Sequence, residues 1–453
     1  MKKSVLWSLR LGFSSAQSKK IKTLGFEKFL STSLNVKVDK NLPDCLKDEP
    51  KSFEDFRKLR KKTKNATAEK KKEFCSKQRK VAIQLQKWWL NKMMTSEYPL
   101  IESMVCFWHN HFVSTQQKVK VNYWIYQHHM ILRNHAFGNF KTLTKQIIKS
   151  NAMISYLDNA KNRNNNFNEN LSRELLELFT LGIGNYTEDD IKNGAKALAG
   201  LNYGEESGVY RRFIENNDTI TYLGKTGFFK ADDIIDIIFE QPEIPYLITK
   251  KLLQWFIEDE PKEEKVKELG DYFKSIDFEI QPLLTKMFTE AYADDLNVTK
   301  IKDPLRYIIQ LKNEMNIDIE KPEHILFFLR QQGMELFNQP NVKGWDGGNG
   351  WLSSQTYLQR NNVADLLCMG KLIRGKKMEN KTKPRINLYK SKMNNKEIIK
   401  SLTDNLVFEV NDDMQADLET ILKYDFDASS PNANTVVLRL FNYIIKTPEF
   451  QVI

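Results

Sequence analysis

Apolar residues recur every three or four positions along most of this chain, and this spacing constrains its fold more than any other feature. In residues 53–91, for example, Val81, Leu85 and Trp88 mark an apolar stripe opposite a strongly basic face. Side chains spaced in this way line one face of an α-helix. The pattern therefore predicts a mainly α, multi-helix globular fold. It also covers residues 96–112, 122–134 and 140–150, and a helix that Asn166 and Glu169 would cap and that runs to about Leu181.

The helical spacing is interrupted between residues 201 and 227. Two segments rich in β-branched and aromatic residues, 209–213 and 219–223, flank Asn216-Asn217-Asp218 and predict a small β-hairpin insertion. Helical spacing resumes at Ala231, and no linker or internal repeat divides the chain. We expect a single helical domain over residues 1–453, with the hairpin at 201–227 and a glycine- and tryptophan-rich loop at 340–352.

The positive charge of the chain is concentrated rather than spread. The net charge is +11, and residues 57–80 alone hold twelve Lys or Arg against two Glu. A solvated helical face is the ordinary explanation of such a segment. Contact with an anionic polymer or nucleic acid is the alternative, because phosphate binding relies on clustered cations. Nucleic acid is the less favoured of these partners.

The cysteines and the N-terminal residues bear on the cellular compartment. The four cysteines are scattered without a CxxC pair, so they indicate neither a disulfide framework nor a zinc knuckle. Residues 1–7 resemble the start of a secretion signal, but Arg10 interrupts the apolar run. No stretch approaches the roughly 18 apolar residues of a membrane span. These features favour the cytoplasm and leave export open.

Five of the six histidines lie between His109 and His135, and the run Phe107-Trp108-His109-Asn110-His111-Phe112 opens this cluster. Histidine is the usual side chain for metal binding and for proton transfer near neutral pH. On a helix, His109 and His111 would point roughly 200° apart, so they would share an ion only if the helix ended between them. Hydrogen-bonded structural histidines are the alternative.

A second polar cluster covers residues 168–178. Its carboxylates and arginine fall one helical turn apart, which could serve metal ligation or proton transfer, or a buried ion network that fixes helix packing. Together the two clusters define a predicted polar centre. Its candidate catalytic residues are His109, His111, Arg173 and Glu174, its candidate metal ligands are His109, His111, Glu174 and Glu177, and its other members are Asn110, Asn168, Glu169, Asn170, Lys343 and Trp345.

Three motif matches are too weak to define a function. The contiguous letters His-Asn-His are not the dispersed residues of an HNH nuclease, and a His-x-His amidohydrolase needs repeated βα units that this chain lacks. Gly224-Lys225-Thr226 resembles the end of a phosphate loop, but Thr219 stands where its first glycine belongs. No CxxCH motif is present, so any haem would be bound non-covalently. The sequence therefore does not identify a cofactor.

Taken in order, several segments resemble a bacterial family known as "domain of unknown function 1800". The likeness runs over nearly the whole chain, and the ordered set of segments is far more specific than any one of them. It implies a soluble, mainly α-helical bacterial protein without an established activity. The matching segments are residues 104–112, 132–140, 156–159, 168–170, 173–178, 180–182, 340–345 and 448–451.

The resemblance also implies a partner, and this chain differs from the usual family pattern at one position. Genes of the family often neighbour one for "domain of unknown function 1501", whose members look like exported alkaline-phosphatase or sulfatase relatives. We therefore expect an accessory or binding protein for an exported hydrolase or an envelope polymer, with a metal- or haem-dependent enzyme as the alternative. The family usually shows a His-Asp pair where this chain has Asn217-Asp218, so a site that needs that histidine would be altered here.

Overall fold

Helices make up most of the protein, as the apolar spacing predicts. The computed structural model describes residues 1–294, 299–317, 322–371, 373, 384, 386, 393–423, 430 and 432–453. The mainly α class with a small β insertion is confirmed over these residues. The helices are α1 Lys3–Leu11, α2 Ser18–Leu24, α3 Phe26–Leu34, α4 Phe53–Lys64, α5 Ala68–Thr95, α6 Leu100–His111, α7 Gln116–Val119, α8 Asn122–Asn134, α9 Phe140–Ile148, α10 Asn151–Tyr156, α11 Asn170–Glu174, α12 Glu188–Leu198, α13 Ala231–Ile238, α14 Ile244–Phe256, α15 Glu263–Ser275, α16 Ile280–Ala293, α17 Pro304–Glu314, α18 Glu323–Gln331, α19 Ser354–Cys368, α20 Asn395–Leu406, α21 Asp412–Ile421 and α22 Ala433–Ile445.

Helix α6 lies at the centre of the apolar core. Every residue of α6 except Asn110 is buried, as expected for a helix that is apolar on all sides. A buried ion pair joins it to α8, with Arg133 Nη1 2.8 Å from Glu102 Oε2. The division of the chain into one domain stays an interpretation.

The β insertion differs from the predicted hairpin. The expected pairing of 209–213 with 219–223 is wrong, because each segment pairs with a closer neighbour. Leu223 and Gly224 both have positive φ, 47° and 82°, which is the geometry of a two-residue hairpin turn. That turn pairs Tyr222 with Lys225. The two antiparallel hairpins are β1 Leu201–Asn202 with β2 Val209–Tyr210, and β3 Ile220–Tyr222 with β4 Lys225–Gly227.

The basic segment 57–80 falls on α4 and α5. Ser52 and Thr67 cap these two helices through their side chains, which fixes where each begins. Most side chains of the segment are exposed. Binding of an anionic polymer there stays a prediction. Among the described residues, no helix combines the length and the apolar character needed to cross a membrane.

Candidate functional site

Helix α6 ends in three polar side chains that point in different directions. His109, Asn110 and His111 form its last turn, and successive side chains of an α-helix are about 100° apart. His109 and His111 are buried, whereas Asn110 is half-buried. Each of the three side chains therefore contacts a different part of the molecule.

His111 lies between α14 and the segment that follows α11. Its Nε2 is 3.0 Å from the carbonyl oxygen of Phe179, and its Nδ1 is 3.3 Å from Nζ of Lys251. A carbonyl oxygen only accepts hydrogen bonds, so Nε2 carries the proton and Nδ1 accepts from Lys251. Burial, and next the charge of Lys251, hold the pKa of His111 well below its usual value. The ring is therefore neutral at physiological pH.

The carbonyl groups that His111 and Lys251 contact belong to a π-helical turn. Leu175–Thr180 continues α11 with π-helical geometry. The last carbonyl groups of a helix lack partners within the helix. Here Lys251 Nζ donates to the carbonyl oxygen of Leu178 at 2.9 Å, and His111 donates to the next carbonyl. A cation at a helix C-terminus is also favoured by the helix dipole, so the two side chains cap this helix.

Lys251 belongs to α14, and the sequence analysis missed it. Burial lowers the pKa of its ammonium group to about 8. The sequence does contain a signal, because Lys251 follows Ile248 by three positions and Ile244 by seven. Those spacings place the lysine on the same face of α14 as the buried Ile244 and Ile248, where Lys251 itself is half-buried. Its neighbour Lys250 forms an exposed ion pair instead.

Asn110 fixes the glycine- and tryptophan-rich loop to the end of α6. The backbone N–H of Trp345 donates to Asn110 Oδ1 at 2.6 Å. Gly344 has φ +99°, and a Cβ there would lie 2.3 Å from the same oxygen. Only glycine fits this close approach. Gln339 adds a hydrogen bond from Nε2 to the carbonyl oxygen of His109 at 2.9 Å.

These elements surround an open cleft of about 760 Å³, which we call the Lys251 cleft. His111 and Asn110 lie on its wall, together with the Gly/Trp loop and the end of α14. Lys300 Nζ pairs with Asp259 Oδ1 at 3.1 Å, and burial raises the pKa of Glu258. The charged side chains that line the cleft are Lys251, Lys300, Lys343, Glu258, Asp259, Glu260 and Asp346, and its tryptophans are Trp255, Trp345 and Trp351.

His109 does not line the Lys251 cleft. Its Nε2 lies 3.1 Å from Nδ1 of His129, and its ring packs on Trp89 with centroids 4.7 Å apart. Burial, and next the charge of His128, hold the pKa of His109 well below its usual value. The two histidines of the predicted pair therefore face different surroundings, as expected from their separation on a helix.

Glu174 ends α11 and Glu177 lies within the π-helical turn, and neither is among the cleft-lining residues. Burial, and next the charge of Glu177, raise the pKa of Glu174, while Arg173 and Lys343 act in the opposite direction. Glu177 Oε2 accepts a hydrogen bond from Tyr186 Oη at 3.2 Å. Within the described ranges no three His, Cys, Asp or Glu side chains are grouped so that they could hold a metal ion. The predicted ligand set stays a prediction.

Arg173 forms an ion network at the surface rather than in the core. It contacts Glu169 at 3.1 Å and Glu188 at 3.0 Å, and all three side chains are at least a third exposed. This geometry corrects the expectation of a buried network. Asn168 and Asn170 shape the turn before α11, since Asn168 Oδ1 accepts from the backbone N–H of Asn170 at 3.0 Å. None of these five residues lines the Lys251 cleft.

Asn217, where the family resemblance predicts a histidine, lies near the start of α13. Its Oδ1 is 3.4 Å from Nζ of Lys230, and that lysine also pairs with Glu215 at 3.2 Å. Asp218 instead accepts a hydrogen bond from Asn216 at 3.1 Å. These contacts belong to the β insertion, and neither Asn217 nor Asp218 lines the Lys251 cleft.

The family assignment rests on a match that covers almost the whole chain. The family model described as "Protein of unknown function (DUF1800)" matches residues 4–452. The chain belongs to this family. No curated protein and no solved structure matches it. The match includes α6, the π-helical turn, α14 and the Gly/Trp loop, so every wall of the Lys251 cleft falls within the family's own extent.

Proposed function

We propose that this protein is a binding protein of the accessory kind, and that the Lys251 cleft is its ligand site. The observation that carries the proposal is the cleft itself: about 760 Å³ of open space lined by charges of both signs beside a lysine of lowered pKa. Concave sites with a few convergent polar groups are where small molecules and chain segments bind.

The chemistry of the walls favours a polyhydroxylated ligand, such as a segment of an envelope polymer. Hydroxyl groups both donate and accept hydrogen bonds, so they can pair with lysine ammonium groups and with the carboxylates of Asp259 and Asp346. Gln254 and Asn349 add amide groups to the wall. Trp345 and Trp351 are only 4% exposed, so they shape the wall with their edges instead of offering a stacking face.

An exported hydrolase is the partner class that the proposal includes. Support for it comes from the family resemblance, whose gene neighbours look like exported alkaline-phosphatase or sulfatase relatives. In this view the cleft holds a polymer segment while the partner enzyme acts on it. A mixture of the two purified proteins, analysed by size-exclusion chromatography with and without the polymer, tests the association.

Ligand binding can be measured through the tryptophans of the cleft. We would titrate the protein with soluble peptidoglycan fragments, and separately with the uncharged oligosaccharide chitotetraose, and follow the tryptophan fluorescence. Lys251→Met should weaken the fragment affinity about tenfold, because a hydrogen bond from a charged donor is lost. Lys250→Met is the matched control, since Lys250 lies next in sequence but points outward. No fluorescence change with either sugar, or equal losses in both variants, would contradict the proposal.

Enzymatic activity is the second candidate function, and the contact between Lys251 and His111 favours it. A lysine of pKa about 8 has a deprotonated fraction roughly a hundredfold larger at pH 8 than an ordinary lysine. Lys251 could then act as a base or nucleophile positioned by His111. Reductive methylation at pH 8, read by peptide mass spectrometry, should label Lys251 faster than Lys250. Slower labelling of Lys251 would count against an enzymatic role.

The metal- or haem-dependent form of the enzyme has its own test. Metal analysis and an absorption spectrum of untagged protein would be compared with those of His109→Ala, His111→Ala and Glu174→Ala. About one equivalent of metal or haem, lost in folded variants, would support this form. Metal-free protein would exclude it, and variants that only unfold more easily would assign these residues a structural role.

A further inference from the structure

Phe213 projects into solvent from a turn after β2, and its side chain is 98% exposed. Both faces of the ring are then open to water, which is unfavourable for an apolar group of this size. Large exposed apolar patches mark interaction sites on soluble proteins, whereas a single exposed ring is a candidate only together with the groups around it. Phe213 is therefore a candidate contact residue in a surface that the Lys251 cleft does not include.

The turn that carries Phe213 is held firmly at its base. The backbone N–H of Arg211 donates to the carbonyl oxygen of Gly200 at 2.9 Å, and that of Asn164 donates to the carbonyl oxygen of Ile214 at 3.0 Å. The N–H of Ile214 closes the turn by donating to Arg211 at 2.9 Å. These bonds fix the backbone on both sides of Phe213, so the ring is presented at a defined position.

Cationic residues lie close to Phe213, either in its groove or beside it in the chain. Lys161 and Arg163 line the same shallow groove as Phe213, and Arg211 and Arg212 precede it in the chain. The guanidinium of Arg211 also lies 5.6 Å from the ring centre of Phe53, at the start of the basic helix α4. We call this surface the Phe213 face. It comprises Phe213 with Lys161 and Arg163 of its groove, Arg211 and Arg212 just before it in the chain, and Arg57, which shares a second groove with Arg211.

Several acidic groups near the Phe213 face are engaged by neighbouring residues. Asp158 and Glu215 take part in ion pairs, and Glu205 accepts a hydrogen bond from a backbone N–H of α4. In contrast, Arg163 and Arg212 form no ion pair with any residue that the structure describes. The charge of these two arginines is therefore available to an anionic partner.

We propose that the Phe213 face binds the surface of an anionic lipid bilayer, with Phe213 inserted among the lipid headgroups and the surrounding cations on lipid phosphates. Cations near such a surface and apolar side chains at its boundary act together in peripheral binding. A nucleic acid would suit a different geometry, because bases stack on rings that lie against the protein with one face open. The Phe213 ring instead stands clear of the surface on both faces.

Vesicle sedimentation tests this proposal. The full-length protein would be mixed with phosphatidylcholine vesicles that contain phosphatidylglycerol, and with vesicles of phosphatidylcholine alone. We expect binding to the anionic vesicles, weakened by added salt. Phe213→Gln should lower the partition coefficient about tenfold or more. The double variant Arg163→Gln, Arg212→Gln should lower it roughly fivefold for each cation removed.

Leu358→Gln is the matched control for the apolar contact. Leu358 is 67% exposed on α19 and has no part in the Phe213 face, so its variant should bind as the unaltered protein does. The proposal is wrong if the protein does not sediment with anionic vesicles, or if Phe213→Gln and Leu358→Gln bind equally. It is also wrong if single-stranded DNA binds to the same face and displaces the protein from vesicles at low salt.

Discussion

The Nζ atom of Lys251 lies 3.3 Å from Nδ1 of His111, although the two residues are 140 positions apart in the chain. The contact joins the end of α6 to the middle of α14, and both side chains continue to the carbonyl groups of the π-helical turn. Three segments distant in sequence thus meet at one polar point. His111 and Lys251 both line the open cleft.

Removal of the Lys251 ammonium group should destabilise the fold. Lys251→Met leaves the Leu178 carbonyl and His111 Nδ1 without their donor, so we expect a loss of about 1–3 kcal/mol in the free energy of unfolding. Lys250→Met removes only an exposed ion pair and should cost less than about 1 kcal/mol. Urea denaturation of both variants measures the difference. Equal losses would mean that Lys251 has no capping role.

Stability should fall as the pH drops below about 6.5. Burial lowers the pKa of His109, His111, His128 and His129 in the folded protein, to about 4 for His128. Unfolded histidine has a pKa near 6.5, so below that value the unfolded chain binds protons that the folded chain does not. Full stability is therefore present above pH 6.5. His128 alone accounts for a loss of about 3 kcal/mol by pH 4.

A variant isolates the contribution of one histidine to this pH dependence. His128→Asn removes one titrating group, so its free energy of unfolding should fall less steeply between pH 6.5 and 4 than that of the unaltered protein. Urea denaturation at several pH values gives both slopes. Identical slopes would show that His128 is not held neutral in the folded state.

The Gly/Trp loop offers a test that separates backbone strain from steric conflict. Gly344 and Gly347 both have positive φ, but a Cβ meets Asn110 only at Gly344 and no atom within 4 Å at Gly347. Gly347 has φ 89° and ψ 170°, a combination that essentially only glycine adopts, so Gly347→Ala should cost about 1–3 kcal/mol from backbone strain alone. Gly344→Ala should cost clearly more and should shift the fluorescence of Trp345. Similar unfolding free energies for the two variants would contradict the docking of the loop on Asn110.

Two arginines should respond very differently to substitution. Arg173→Ala removes a surface ion network and should change the free energy of unfolding by less than about 1 kcal/mol. Arg133→Ala leaves Glu102 charged and buried, which should cost about 3–5 kcal/mol. Thermal or urea denaturation compares them. Loss of ligand binding in folded Arg173→Ala would support the place of Arg173 in the predicted polar centre.

Much of the fold follows from local patterns in the sequence. The predicted helix over 122–134 matches α8 Asn122–Asn134 residue for residue. Local side-chain chemistry also fixes the start of α12, where Thr187 and Asp190 form a reciprocal cap. The predicted hairpin pairing was wrong because turn geometry determines which neighbour a strand of two or three residues pairs with. The turn here depends on a positive φ at Leu223, and leucine gives no sequence signal for that conformation.

The site was less predictable because its members meet through long-range packing. Asn110, His111, Lys343 and Trp345 were predicted and do line one cleft. Arg173 and Glu169 were predicted with them, yet helix α11 turns both toward solvent. Lys251 was missed because a single lysine in an apolar stripe is informative only once its neighbours in space are known.

The π-helical turn has a consequence for the tolerated length of the chain. A π turn contains one residue more than an α turn over the same rise, and each residue advances an α-helix by about 100°. Deletion of one residue from Leu175–Thr180 would therefore swing the following carbonyl groups away from α6 and α14. Substitutions within this segment can be absorbed by repacking, whereas insertions and deletions would separate the helix from both of its caps.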